Sequence, residues 1–245
     1  MIPLYWRKMI YRNKHAIFFD FDKTIGFINS HYGIYTKAAL EFGIEVSEER
    51  LHEKPLNNAW NNWMTKQGVD HSKHSNSEIE YSKIRQAIAA HRLHEAGIES
   101  SDEKLNLITR RIVEMEYDSN NYQLYSDTTR CLEFLKKEGF QLLLVSNHVW
   151  QLPKIISDLK INSYFTHIIT SARVGFRKPH PQIFTHAVEL SGEIPSNIAF
   201  IGDSYSNDVM GSKQVGLSPI LIDRENKVNQ ANTLIPVIYS LDELR

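Results

Sequence analysis

Residues 15–24 read His15-Ala16-Ile17-Phe18-Phe19-Asp20-Phe21-Asp22-Lys23-Thr24, an apolar, aromatic-rich run that stops at a pair of acids. The run is too short for a helix and lacks polar alternation, so it reads as a strand, His15–Asp20, buried on both faces. Four later stretches share the pattern: Gln141–Ser146, His167–Ser171, Asn197–Asp203 and Pro219–Asp223. Ile235–Tyr239 is a candidate edge strand. Helical patterns separate the later strands: Thr128–Glu138 closed by Gly139, Leu152–Leu159, and Pro181–Leu190 closed by Gly192. Strands alternating with helices predict an α/β fold with a Rossmann-like, doubly wound parallel sheet.

Residues 31–125 break that rhythm and carry no strong strand signal. Tyr35, Ala38, Ala39 and Phe42 make a short opening helix, and Leu56, Ala59, Trp60, Trp63 and Met64 fall at helical spacing before Gly68. Ser77 with Glu80, and Ser100 with Glu103, are capping-box pairs that start two further helices. The expected organisation is a core built from residues 1–30 and 126–245, with an all-helical insertion over 31–125.

The 245 residues carry 28 Lys+Arg against 29 Asp+Glu, which excludes a polybasic nucleic-acid binder. No run reaches the roughly 18 apolar residues of a membrane span. A single cysteine, Cys131, cannot pair within the chain, which fits a reducing, cytoplasmic setting. Cys131 lies on the apolar side of its helix with Phe134 and Leu135 and reads as packing.

Ligands in open α/β sheets sit at the carboxyl ends of the strands, and chemistry-bearing residues collect there. Asp20, Asp22 and Thr24 follow the first strand. Ser146 and Asn147 end the second, and Arg177-Lys178-Pro179 follows the third. The fourth ends in Gly202-Asp203-Ser204, with Asp208 five residues beyond Asp203. Two like charges about 4 Å apart repel by roughly 4 kcal/mol at an effective dielectric near 20. Four carboxylates in one pocket therefore call for a cation, and hard oxygen ligands favour Mg²⁺.

Asp20-Phe21-Asp22-Lys23-Thr24, Val145-Ser146-Asn147, Lys178-Pro179 and Gly202-Asp203 with Asp208 resemble, in order, the four motifs of the haloacid dehalogenase-like hydrolase superfamily. The insertion after the first motif resembles that superfamily's helical cap. The resemblance implies a Mg²⁺-dependent phosphatase acting on a small phosphorylated metabolite. Asp20 would be the nucleophile and Asp22 the general acid and then base. Ser146 and Lys178 would hold phosphoryl oxygens, with Thr24 and Asn147 in support. Asp20, the Asp22 backbone carbonyl, Asp203 and Asp208 would surround the metal. Asp22 argues against a carbon–halogen reaction, since the dehalogenases of the superfamily lack the second acid. Lys23 stands where the family pattern most often has glycine and is read as solvated. A sugar phosphomutase, a receiver-like phospho-acceptor and a non-catalytic relative are the alternative readings. Neither nucleic acid nor membrane is an expected partner, and a monomer or weak homodimer is expected.

Other features are weighed against plainer readings. His91 with His94, and His71 with His74, have zinc-like helical spacing but no further ligand nearby in the sequence, so a polar helix face is preferred. His148 is placed at the pocket rim, where contact with the leaving group is one reading and a solvent-facing loop histidine the preferred one. Tyr32, Lys37, Asn57, Asn61 and Arg85 are candidates for reading a leaving group. The basic-aromatic segment Met1–Tyr11 is read as a packed or frayed terminus.

Overall fold

The computed structural model describes residues 13–52, 59–68, 70, 72–228 and 233–245. The readings placed on Met1–Tyr11, Leu56, Asn57 and His71 fall outside those residues. Six parallel strands form the main sheet: β1 (Ala16–Phe19), β4 (Gln141–Ser146), β5 (His167–Thr170), β6 (Ile198–Gly202), β7 (Ser218–Ile222) and β8 (Val237–Ile238). Their order is β5-β4-β1-β6-β7-β8, so β1 is central, with Phe19 in register with Leu144 on one side and Ile201 on the other. All five expected strands are present, most of them a residue or two shorter than expected at their ends, and Val237–Ile238 is the expected edge.

Period-2 alternation gives each face of the sheet its own core. Ile17, Phe19, Leu142, Leu144 and Ile201 pack against Cys131, Leu135, Leu152 and Ile156 from the helices Thr128–Lys137 and Leu152–Asp158. Phe18, Leu143, Val145 and Phe200 face Ile183, Phe184 and Ala187 of the helix Pro181–Ser191. Cys131 is fully buried, as its helical position predicts.

The insertion contributes helices at His31–Glu41, Glu48–His52, Ala59–Lys66, Glu78–Glu95 and Asp102–Tyr117. Its own core gathers Ile34, Tyr35, Ala38, Leu93, Ile108 and Ile112. Two capping expectations are corrected. The last of these helices is capped by Ser101, whose hydroxyl accepts from the Lys104 N–H, not by Ser100. Ser77 does occupy the N-cap of Glu78–Glu95 but makes no side-chain cap bond. The segment 31–125 is also not wholly helical. Tyr122–Leu124 (β3) pairs antiparallel with Gly26–Ile28 (β2), so a two-stranded ribbon carries the chain into and out of the insertion. Three-residue strands lie below what hydrophobic periodicity can register. Gly26 is required in the ribbon, since a Cβ there would lie 2.7 Å from the Phe21 ring.

Candidate active site

The chain order reverses at β1, between β4 and β6, which opens a crevice at the carboxyl ends of those strands. A cavity of about 410 Å³ lies there, lined by Asp20, Asp22, Ser146, Asn147, Lys178, Asp203 and Asp208. Seven of the eight expected residues, spread over 189 positions, therefore share one space. The eighth, Thr24, does not line it: Thr24 is fully buried and its hydroxyl has no hydrogen-bond partner. A larger groove of about 520 Å³ opens at the opposite end of the sheet, but no carboxylate lines it.

Lys178 organises the cavity. Its Nζ lies 2.6 Å from Asp20 Oδ1 and 2.7 Å from Asp208 Oδ1, and it donates to the Val145 carbonyl at 3.0 Å. Burial alone would push this ammonium down, but the two carboxylates overcome it and raise its pKa. Asn147 and Lys178 clamp one another. The Lys178 N–H donates to Asn147 Oδ1 at 2.7 Å, and Asn147 Nδ2 donates to the Lys178 carbonyl at 2.9 Å. The amide of Asn147 thus fixes the lysine backbone, so its support for an anion is indirect. Asp208 sits in a turn of π-helix, Tyr205–Met210, where its Oδ2 accepts from the Ser204 N–H at 3.0 Å. Gly202 makes room for it, since a Cβ there would come within 2.4 Å of the Asp208 carboxyl.

Single oxygens of Asp20, Asp203 and Asp208 lie within 4.8 Å of one another, the only such cluster among the described residues. The His91–His94 pair contributes to none. Burial, then repulsion from Asp20 and Asp208, pushes Asp203 up to about 7. Burial lifts Asp208 to about 6 despite Lys178. Strongly perturbed acids converging on oxygen-only ligands are what a hard divalent cation relieves, so the residues fit a magnesium-type site. Asp22 is pushed up to about 8, by burial first and then by Asp20 and Asp203, although 39% of its side chain stays accessible from the cavity.

His148 is not the solvent-facing residue expected. It is 6% exposed, its ring edge-on to Phe21 at 5.3 Å and beside Tyr122 at 5.4 Å. Its Nε2 lies 3.7 Å from Asp22 Oδ2. Burial, reinforced by surrounding cations, pushes it down to about 3, so the ring is neutral. The loop histidine faces inward because Thr170 Oγ1 donates to its carbonyl at 2.6 Å, and no local sequence pattern encodes that long-range bond. Lys23 is exposed, as expected, and adopts a left-handed φ of 56°, the conformation that suits the family's glycine. Arg177 turns away from the cavity and lies 4.2 Å over the Trp60 ring. Of the insertion's candidates, Arg85 forms a buried pair with Glu116, Tyr32 lies against the His52 ring at a tilt of 38°, Lys37 is exposed and Asn61 half-buried. Arg224 is a residue the sequence did not single out. It donates to Asp127 at 2.6 Å and to the Thr24 carbonyl at 2.5 Å, tying both crossings to the insertion.

A family model for haloacid dehalogenase-like hydrolases matches residues 14–216. The chain belongs to that family. It is 26% identical over 215 residues to a glyceraldehyde 3-phosphate phosphatase of Methanothermobacter thermautotrophicus, covering 86% of each chain. A mouse protein, haloacid dehalogenase-like hydrolase domain-containing protein 3, is 32% identical over 110 residues, 45% of this chain and 44% of that one. Among solved structures, the putative hydrolase YfnB of Bacillus subtilis, bound to magnesium, superposes with a TM-score of 0.70 at 20% identity, over 94% and 96% of the two chains. A phosphatase of this family from Thermococcus onnurineus gives 0.61 at 24% identity, over 94% and 95%. The fold class expected from strand order and motifs, a doubly wound sheet with a helical cap, is the fold observed. Among the described residues no helix is long and apolar enough to cross a membrane.

Proposed function

We propose that this hydrolase is a magnesium-dependent phosphatase of a small phosphorylated metabolite, working through a phosphorylated Asp20. The carrying observation is the shared cavity of Asp20, Asp22, Ser146 and Lys178 at the ends of β1 and β4 and beside the sheet. The similarity to a named phosphatase along 86% of the chain supports the same reading. Asp20, Asp203 and Asp208, with the Asp22 carbonyl, would hold magnesium, which when bound supplies charge neutralisation between carboxylates and phosphate.

In this reading a carboxylate oxygen of Asp20 attacks phosphorus and the bond to the leaving oxygen breaks. That oxygen takes the proton of Asp22, whose raised pKa keeps it protonated near neutral pH. Lys178 and Ser146 hold the transferring oxygens. Water then attacks the aspartyl-phosphate, Asp22 takes its proton, and Asp20 returns with release of phosphate. The insertion packs on the core through Trp60, Tyr81 and Ala172, and none of its described residues lines the cavity. The test is phosphate release over a panel of phosphomonoesters, with and without a chelator and with Asp20→Asn as the blank. Chelator-sensitive release by the parent and none by the variant is expected. Equal release by both removes the assignment.

A further inference from the structure

His148 carries an inference that rests on the phosphatase reading and extends it. Among the described residues, no side chain hydrogen-bonds the Asp22 carboxyl, and His148 Nε2 at 3.7 Å is its one neighbour of opposite charge potential at ion-pair distance. The His148 backbone is pinned twice, by Thr170 Oγ1 at 2.6 Å and by Tyr81 of the insertion at 3.4 Å. Its ring is held between Phe21 and Tyr122. The other ring nitrogen, Nδ1, is buried with no hydrogen-bond partner.

A neutral imidazole carries one proton, on one nitrogen only. Placing it on Nδ1 would bury an N–H donor without an acceptor and would turn the Nε2 lone pair onto the Asp22 proton that the leaving oxygen needs. Placing it on Nε2 leaves only a bare acceptor among aromatic rings and aims the donor at Asp22. We propose that His148 is a positioning residue: it donates Nε2–H to Asp22 Oδ2 and thereby leaves Oδ1 as the oxygen that carries the proton to the leaving group. A carboxylic acid free to rotate would present that proton in several directions. One with Oδ2 engaged presents it in one; since the ring is held, the 3.7 Å separation is closed to hydrogen-bond distance by a turn of the part-exposed Asp22 carboxyl.

Two measurements test this. Long-range ¹⁵N–¹H correlation in the folded protein reads the tautomer directly, and the Nε2–H form is expected for His148. The Nδ1–H form overturns the proposal. The second compares kcat/KM for an alkyl phosphate, whose leaving oxygen needs a proton, with that for p-nitrophenyl phosphate, whose leaving group does not. The ratio kcat/KM ends at departure of the leaving group, so the later hydrolysis step does not enter. His148→Met, of similar length and without a donor, is expected to lose about ten- to a hundredfold on the alkyl ester and less than about threefold on the aryl ester. His148→Gln, whose amide reaches the Nε2 position, is expected to restore the alkyl ester to within about threefold of the parent. Equal losses on both esters, or no difference between the Met and Gln variants, overturns the positioning role while the phosphatase reading stands. A parent that hydrolyses neither ester overturns both.

Discussion

Two regions of the molecule bury charge in opposite ways. At the sheet, Lys178 faces both Asp20 and Asp208, with Asp203 and Asp22 in the same cavity, so negative charge remains in excess. In the insertion, Arg85 pairs with Glu116, its Nε 3.1 Å from one oxygen and its Nη2 on the other. The insertion's pair is closed: each charge is cancelled where it stands. The sheet's cluster is left open, and burial first, then repulsion among its acids, raises them toward and above neutrality. A buried charge that is fully paired holds structure, whereas one left in excess makes a place for a cation and an anionic substrate.

The contrast is broken most severely at Asp20. Asp20→Asn keeps the shape and removes the nucleophile, so phosphate release is expected to fall by roughly a thousandfold or more. Next come the two cations. Lys178→Met leaves Asp20 and Asp208 facing each other unpaired, and loss of about 3–5 kcal/mol in denaturant unfolding at neutral pH is expected, with activity abolished. Arg85→Met should cost about as much, because it strands Glu116. The difference lies in repair. Arg85→Met combined with Glu116→Leu is expected to recover to within about 1–2 kcal/mol of the parent and to keep kcat/KM within a few-fold. A stable double variant whose kcat/KM has fallen tenfold would show that the insertion's pair also reads substrate.

pH separates the regions as well. His148 is held neutral down to about 3, below the 6.5 of an exposed histidine. The unfolded chain therefore binds the extra proton first, and stability carried by the neutral ring is complete above 6.5 and lost as pH falls toward 3. His148→Met removes that linkage. Relative to the parent, the variant should gain about 1.4 kcal/mol for each pH unit of acidification across that window, read from urea midpoints at several pH values. Parallel stability curves for the two proteins would place His148 in water instead.

Much of the sheet was readable because its signals are local. Ile17, Phe18 and Phe19 announce a strand by composition, and Asp20, Ser146 and Asp203 fall at strand ends by position alone, with Lys178 in the segment that follows the third strand. Given parallel strands, β1 at the switch point brings them together with no further information. What escaped reading depends on contacts between distant segments. His148 is turned inward by Thr170 Oγ1, Asn147 is spent on Lys178, and Thr24 is drawn away from the cavity while its carbonyl binds Arg224. The ribbon of Gly26–Ile28 and Tyr122–Leu124 joins segments 94 positions apart in strands too short to show a period. Ser101 rather than Ser100 caps its helix because one residue of phase is finer than a capping pattern resolves.

Lys23 is the smallest and sharpest test of where the open cluster ends. Its backbone nitrogen donates to the Gly26 carbonyl at 2.8 Å, which fixes the turn and holds φ at 56° whatever side chain is attached. For a residue with a Cβ that conformation costs about 1 kcal/mol, which glycine avoids while gaining freedom in the unfolded chain. Those terms nearly cancel, so Lys23→Gly is expected to shift the unfolding free energy by no more than about 1 kcal/mol. The ammonium lines the cavity but is exposed, and exposed charges are screened by water. KM for a phosphomonoester should therefore change less than about threefold in the glycine variant. A tenfold rise in KM with kcat intact would move Lys23 from the solvated rim onto the substrate. It would make the cluster's positive side two residues wide and place the second cation on the turn that follows the nucleophile.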